Sequence, residues 1–405
     1  MARIAVIVSN PCVADARVIK MARAAAETGH EVHVFATLND ATLPYDNSTE
    51  IIYHRLEWRP GQRIIENTPL RFVAKLNRAV ASYLATVLVP FLKYRMFSLT
   101  MAEHIAAIKP DIIHAHDLIC LPAGYDAAEL SGAKLVYDAH ELEVHRNPPL
   151  PFLQKRFVSY MEYKYGSKAF AVNTVGRLVG EVLKEHLGRE DINILYNSPI
   201  ISPCECHIRT DLGIGESTPL LIYVGKVAAG RGVSEILPLL PKLKGTIFAT
   251  VGPCDDKQRQ IILKQAKKVG VSDRVRILPP VPFEQVVDYI RGADVGIISV
   301  EPVTLSYQYC MPNKLFEMSF ANVPIVSNKL DEIEQFLAEN GNGEIVDFEN
   351  KNSLAYAIFK MINEKQRYVM DAERLEALAA SYSWQAQKAK LLKIYEKALA
   401  NEVSC

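Results

Sequence analysis

No stretch of this chain stays apolar for long enough to cross a bilayer. The longest run, Val80 to Leu92, carries Pro90 and falls short of the roughly 20 residues a spanning helix needs. Cysteine is scarce: seven scattered residues in 405, an odd number with no disulfide framework, so a reducing compartment is expected. Cys204-Glu205-Cys206-His207 groups two thiols with an imidazole but lacks a second ligand pair at zinc spacing, and no metal site is expected. Net charge is absent as well. Lysine plus arginine, 46, equals aspartate plus glutamate, 46, which leaves no basic field for nucleic acid. Any pull toward an anionic surface must then come from a local patch. No Gly-x-Gly-x-x-Gly follows the first strand-like run, which disfavours a dinucleotide oxidoreductase. The chain passes from Arg3 into Ile4-Ala5-Val6-Ile7-Val8 with no room for a secretory signal, so a cytoplasmic protein is expected.

What is present is an alternation of short β-type runs with helical runs. Its length exceeds what one core usually serves, so two domains are expected. Strands read at 3–9, 31–36, 51–56, 111–115, 134–138, 169–173 and 193–196, with helical segments between most of them. After a Pro- and Cys-bearing break at 197–219, strands resume at 220–224, 246–251, 275–278, 294–299, 323–327 and 343–346. Helices read at 15–28, 233–240, 257–269, 283–292, 313–320, 332–338, 351–363, 373–380 and 384–401. Repeated strand–helix–strand units imply parallel sheets covered on both faces. The fold class is α/β, with two doubly wound, Rossmann-like domains. We place them at 1–200 and 201–382, the helix 383–401 packing back on the first, with the carboxyl edges of both sheets facing a central cleft.

Two places in the second half suit an anion. In Pro312-Asn313-Lys314-Leu315-Phe316-Glu317, Pro312 suits the first helical position and Lys314 shares a face with Glu317. A helix start favours phosphate, and a carboxylate one turn in can accept from a vicinal diol, so a phosphorylated ribose matches both. The same pattern also fits an ordinary capped amphipathic helix. Upstream, the strand Leu221-Ile222-Tyr223-Val224 ends at Gly225-Lys226, and Arg231 follows between Gly230 and Gly232. These glycines permit unusual backbone angles, and Lys226 and Arg231 fall at a strand's carboxyl edge, where such sheets bind ligands. A solvated loop with two basic residues would look the same.

With these residues in hand, the chain resembles a retaining glycosyltransferase of family 4 with the two-domain GT-B fold, over nearly its whole length. The resemblance implies a nucleoside-diphosphate sugar as co-substrate, retention of anomeric configuration, and no required metal or other cofactor. It implies that Glu317 holds the ribose hydroxyls, that Lys226 and Arg231 contact the diphosphate beside Gly225, Asn313 and Lys314, and that Pro280 and Val281 lie against the base. Eight positions before Glu317, where the family pattern has glutamate, stands Tyr309, whose hydroxyl is expected to take over the sugar contact. Lys226 and Arg231 exchange the family's usual arginine and lysine. In the first domain the resemblance sets His140 of Asp138-Ala139-His140-Glu141 beside the reacting sugar. His116, one strand earlier and on the same side as His114, is a parallel candidate. Asn10, Asp15 and Arg17 follow the first strand, where the family keeps a loop over phosphates or acceptor; Asp15 also fits a plain helix cap.

The expected reaction moves a sugar to an acceptor hydroxyl in polysaccharide or glycolipid assembly. Alternatives are a nucleotide-sugar epimerase and a non-catalytic subunit on the same fold. The acceptor is read as a glycan or a polyprenyl-linked sugar. A basic–apolar segment from Arg71 to Arg95 and the run Lys155-Arg156-Phe157 through Tyr160, Tyr163, Lys164 and Tyr165 suit contact with a membrane surface. That reading places the protein peripherally on the inner face of a membrane; a buried helix with a solvated face is the other reading.

Overall fold

Apolar runs that do not alternate are strands hidden on both faces, and each run here belongs to a parallel sheet flanked by helices. The computed structural model describes residues 1–13, 15–38, 50–58 and 78–400. Arg71 and Lys75 lie outside the described residues, and in the helix Arg78–Ala107 side chains are described only from Leu92 onward. The chain forms two units, Met1–Leu195 with the segment from Lys388 onward, and Tyr196–Gln387.

The first unit is built on seven strands: β1 Arg3–Ile7, β2 Glu31–Leu38, β3 Ile51–Glu57, β4 Ile112–His116, β5 Lys134–Ala139, β6 Ala171–Thr174 and β7 Ile192–Ile194. Their order is β3-β2-β1-β4-β5-β6-β7. The register pairs Ile4 with both Val32 and Ile112, so the most apolar strands lie at the centre. It also sets His116 against Asp138 at the carboxyl ends of β4 and β5. The last helix, Trp384–Ala400, belongs to this unit from Lys388 on, and its Tyr395 is buried.

The second unit holds β8 Leu220–Val224, β9 Ile247–Val251, β10 Val275–Leu278, β11 Val295–Ile298, β12 Ile325–Ser327 and β13 Gly343–Ile345. Their order, β10-β9-β8-β11-β12-β13, reverses direction between β8 and β11. Ligands of open α/β sheets bind at such a switch point. The helix Asn313–Phe320 lies on this sheet through Leu315, Phe316 and Met318, all fully buried. Phe316 packs its ring against Tyr196, Phe336 and Tyr382 at centroid distances of 5.7, 5.8 and 5.7 Å. This contact fixes the axis of the helix, and with it the direction of its first turn.

Three local expectations need correction. Pro312 is the cap, at ψ 147°, and Asn313 begins the helix, because a proline ahead of the first turn leaves only residues with free amides inside it. The run 233–240 is split into a single turn Val233–Ile236 and a 3-10 turn Leu237–Leu239, since Pro238 has no N–H to continue the ladder. The helix read at 283–292 is only Val286–Tyr289, bounded by turns at Gln285 N to Pro282 O and Ala293 N to Ile290 O.

Candidate active site

In the second unit three cationic side chains gather at the carboxyl end of β8. Gly225 ends the strand at φ 109°, and Gly252, at the end of β9, backs directly onto it: a Cβ at Gly252 would lie 2.3 Å from the Gly225 carbonyl. The bare backbone at Gly225 faces Lys314, whose Nζ would sit 3.8 Å from a Cβ there. Lys314 is 8% exposed and holds its ammonium 3.8 Å from the centre of the Tyr223 ring. Burial, helped by the nearby charge of Arg231, lowers its pKa to about 7, against the upward pull of Glu317 and Cys310. Arg231 stands in an exposed loop between Gly230 at φ 72° and Gly232 at φ 81°. Its field also opposes the burial that pushes Tyr223 up to about 12 and the Cys310 thiol up to about 12. Gly232 is required sterically, since a Cβ would meet the Ser299 Cβ at 2.2 Å.

The first turn of Asn313–Phe320 completes this corner. The amides of Asn313 and Lys314 make none of the described backbone hydrogen bonds, whereas Leu315 N bonds Pro312 O. Amides outside the backbone ladder and a buried ammonium are what a phosphate oxygen needs. The single turn Val233–Ile236 after Arg231 is too short to add a comparable dipole, so the first turn of Asn313–Phe320 is the helix start at this corner. Glu317 is half-buried on the same helix, one turn along from Lys314. Lys226 is exposed, and its carbonyl accepts from the Tyr223 hydroxyl at 3.1 Å. Asn313 Oδ1 accepts from Asn197 Nδ2 at 2.8 Å. Tyr309 is half-buried just past the turn Leu305–Gln308. Pro280 is exposed, and Val281 packs partly against the core beside Leu278.

The first unit holds a separate cluster around Asp138, a fully buried carboxylate at the end of β5. Arg17 grips it with two bonds, Nε to Oδ2 at 2.8 Å and Nη2 to Oδ1 at 2.7 Å, and donates Nη1 to the Leu195 carbonyl at 2.9 Å. His116 Nδ1 lies 3.1 Å from Asp138 Oδ2, and His140 Nε2 lies 3.4 Å from the same oxygen. The other face of His140 meets Asp117, Nδ1 to Oδ1 at 3.2 Å. Burial would raise the Asp138 pKa, but Arg17 and the bonds from His116 and His140 hold it well below the usual carboxylate range. Burial would lower that of His140, yet the charges and hydrogen bonds of Asp117 and Asp138 leave it raised. Behind them His114 donates to or accepts from the Tyr395 hydroxyl at 2.7 Å, and its ring lies tilted against that of His116, centroids 4.3 Å apart. Burial, followed by the influence of His116, keeps His114 well below its ordinary value, hence neutral.

Of the candidates read from sequence, the structure brings His116 and His140 together and places Arg17 behind them. Arg17 is 4% exposed, so it acts through Asp138 rather than on a ligand. His116 is also fully buried. Asp15 caps the helix Ala16–Ala26, taking Val18 N at 3.3 Å, and accepts from Asn10 Nδ2 at 2.8 Å. Asp138, Asp117, Tyr223 and Tyr395 were not singled out from the sequence. A charge closing the apolar run Leu135-Val136-Tyr137 was the available sign for Asp138. His114, His116 and Asp138 also have the reach to share a cation, which would compete there with Arg17 for the carboxylate. The thiols at 204 and 206 point elsewhere: Cys206 Sγ bonds Asp211 at 2.6 Å, and Cys204 Sγ bonds Gln285 at 3.9 Å.

Comparison with known proteins gives a consistent result. Residues 14–198 match the family model Glycosyltransferase Family 4, and residues 218–364 match Glycosyl transferases group 1. A D-inositol 3-phosphate glycosyltransferase of Nocardiopsis dassonvillei is 25% identical over 95% of this chain and 89% of its own. One of the same name from Xylanimonas cellulosilytica is 21% identical over 94% and 90%. Among solved structures, sucrose-phosphate synthase from Thermosynechococcus elongatus superposes with TM-score 0.73 at 16% identity, covering 99% of this chain and 100% of that one. The Anabaena protein HepE, in complex with UDP and glucose, gives TM-score 0.70 at 14% identity, covering 98% and 100%.

Proposed function

The chain belongs to glycosyltransferase family 4, and from that premise we propose that it transfers a sugar from a nucleoside-diphosphate donor to an acceptor hydroxyl with retention of configuration. The observation that carries the reading is the corner where the Lys314 ammonium faces the bare backbone of Gly225 within the field of Arg231, beside two helix amides that make none of the described backbone hydrogen bonds. In this reading Arg231, Lys226 and Lys314 offset the charge that grows on the departing diphosphate, the largest single lever on such a barrier. Glu317 accepts from the ribose hydroxyls, Pro280 and Val281 flank the base, and Asn313 and Tyr309 add polar contacts to phosphate and sugar. His140, held by Asp117 and Asp138, is assigned to the reacting sugar. No metal or other cofactor has a step in this scheme.

Glu317→Ala tests the assignment. Losing hydrogen bonds to a charged acceptor, roughly 1.5–3 kcal/mol each, should weaken nucleotide binding at least tenfold by calorimetry. Unchanged affinity would remove Glu317 from the donor site. Donor incubated alone distinguishes transfer from epimerisation, and the linkage of the product, read by NMR, tests retention.

For the acceptor we propose a glycan or a polyprenyl-linked sugar in polysaccharide or glycolipid assembly. The names of the curated relatives favour an inositol phosphate as the second reading, and an acceptor panel separates the two. No helix among the described residues is long and apolar enough to cross a membrane. A peripheral contact is supported by the helix Phe152–Gly166, which exposes Phe152, Leu153, Tyr160 and Tyr163 alongside Arg156 and Lys164. Sedimentation with anionic vesicles that reverses in salt is the expected result; equal recovery with neutral vesicles would refute the electrostatic part.

A further inference from the structure

Beside the anion corner, the carboxyl ends of β11, β12 and β13 enclose a second hollow of about 780 Å³. That volume lies within the roughly 300–1,000 Å³ of small-molecule sites. None of Lys226, Arg231, Lys314 or Glu317 lines it. We propose that this hollow binds the ring of a neutral sugar.

Glu235 is the first reason. Glu235 lines the hollow, and its Oε2, turned away from solvent, has no hydrogen-bond partner among the described residues. A buried carboxylate oxygen without a donor is costly, and a turn of the Glu235 side chain into the hollow lets an arriving hydroxyl supply one. The charges around the hollow are the second. Glu235, Glu301, Asp347 and Glu349 face it with Lys329 and Lys351. Lys329 pairs with Glu334 at 3.4 Å, and Lys351 Nζ donates to the Phe348 carbonyl at 3.1 Å. The excess of carboxylates repels a second nucleotide. The two ammonium groups on the same rim weigh against a cation, whereas hydroxyls both donate and accept. The third reason is the wall. Val303 and Phe348 present apolar surface, and an aromatic ring beside carboxylates matches the two-sided chemistry of a pyranose, C–H on its faces and O–H at its edge. Asn328 is taken up by both backbone groups of Val300, at 3.0 and 2.8 Å, so it stiffens the wall and leaves the ligand to Glu235.

The hollow shares a partition with the anion corner. Ser299 lines it and is the residue that presses on Gly232, next to Arg231. The inference rests on the glycosyl-transfer reading to the extent that the ring would be one residue of an extended acceptor.

Ligand-observed NMR and calorimetry with glucose, galactose, mannose, N-acetylglucosamine and their disaccharides test the site, each with and without saturating uridine or guanosine diphosphate. Glu235→Gln removes the charged acceptor, and Val303→Trp fills the mouth from a position already 55% exposed. We expect saturable sugar binding that persists with nucleotide present, weakens about tenfold in Glu235→Gln, the worth of one hydrogen bond to a charged group, and is lost in Val303→Trp, where the ring takes the ligand's space. The nucleotide-induced rise in melting temperature should be unchanged in both, which shows that the fold survives. No binding across the panel, displacement by nucleotide, or equal affinity in the variants overturns the proposal. So does Glu235-dependent binding of tetramethylammonium in place of sugar. If sugars bind here but no nucleotide binds anywhere, the transfer reading fails and the sugar site stands.

Discussion

Lys314 should make donor binding take up protons. Its ammonium is buried over Tyr223 and near Arg231, which brings its pKa to about 7 in the free protein. A pyrophosphate set against it reverses the balance and favours the charged form. If binding restores a value near the ordinary lysine range of ~10.4, uptake at pH 8 should be about nine-tenths of a proton, and at pH 7 about half. Apparent affinity is then fully present below about pH 7 and lost as pH rises through it. Between pH 7 and 9 the fall is roughly fifty-fold, or ~2.3 kcal/mol. The free protein has the opposite sign. There the folded pKa lies below the unfolded one, so this group's contribution to stability grows as pH rises from about 7 toward ~10.4. The assay is calorimetry in buffers of different ionisation enthalpy, whose slope counts protons. The ligand should be the intact nucleotide sugar, because a free terminal phosphate itself titrates near pH ~6. Lys314→Met should abolish both uptake and the alkaline loss. Uptake that survives in that variant, or a flat affinity from pH 7 to 9, would show that Lys314 does not meet the ligand.

Asp138→Asn leaves the Arg17 guanidinium buried without its counter-charge; we expect a loss of ~3–5 kcal/mol in urea unfolding, and a loss under ~1 kcal/mol would contradict the geometry. Because the folded pKa of Asp138 is depressed, its contribution is present at neutral pH and should fade as pH drops below the unfolded value. Gly232→Ala should cost ~1–3 kcal/mol through φ 81° and the clash with Ser299, and adding Ser299→Gly should relieve only the clash; full recovery in the double variant would mean the backbone angle carries no strain. His140→Ala should lower single-turnover rate while leaving nucleotide affinity unchanged, and a normal rate would take His140 out of the reaction.

Central strands such as β8 were legible because burial on both faces wrote an unbroken apolar run, and the half-buried outer strands β10 and β13 because short apolar-bearing runs stand between helical segments. The limits of β8 and β10 agree with the reading residue for residue, and β12 and β13 differ only at their ends. The gathering of cations beside Gly225 was legible in part, since glycine and cation spacing next to a strand end has a local cause. What spacing does not carry is which distant side chain fills the space opposite. Lys314 reads as half of an i,i+3 pair with Glu317, but its state is decided by a tyrosine on β8 that shows no local relation to it. Asp138 meets Arg17 across 121 positions, and His114 meets Tyr395 across 281. The short helices failed for a related reason: at Val233–Ile236 and Val286–Tyr289, proline and turn bonds interrupt an apolar period that continues in the sequence.

The bond between His114 and Tyr395 also bears on the order of assembly. The first unit needs a residue that leaves the ribosome after the whole of Tyr196–Gln387 has been made. Until then the His114 imidazole lacks its partner, and the layer that carries His116 and His140 waits for Tyr395 to be made. The second unit, contiguous in sequence, is free to fold first. A chain truncated after Gln387 should therefore yield a complete second unit attached to an unfinished first one, which ties maturation of the histidine cluster to synthesis of the segment that carries Tyr395.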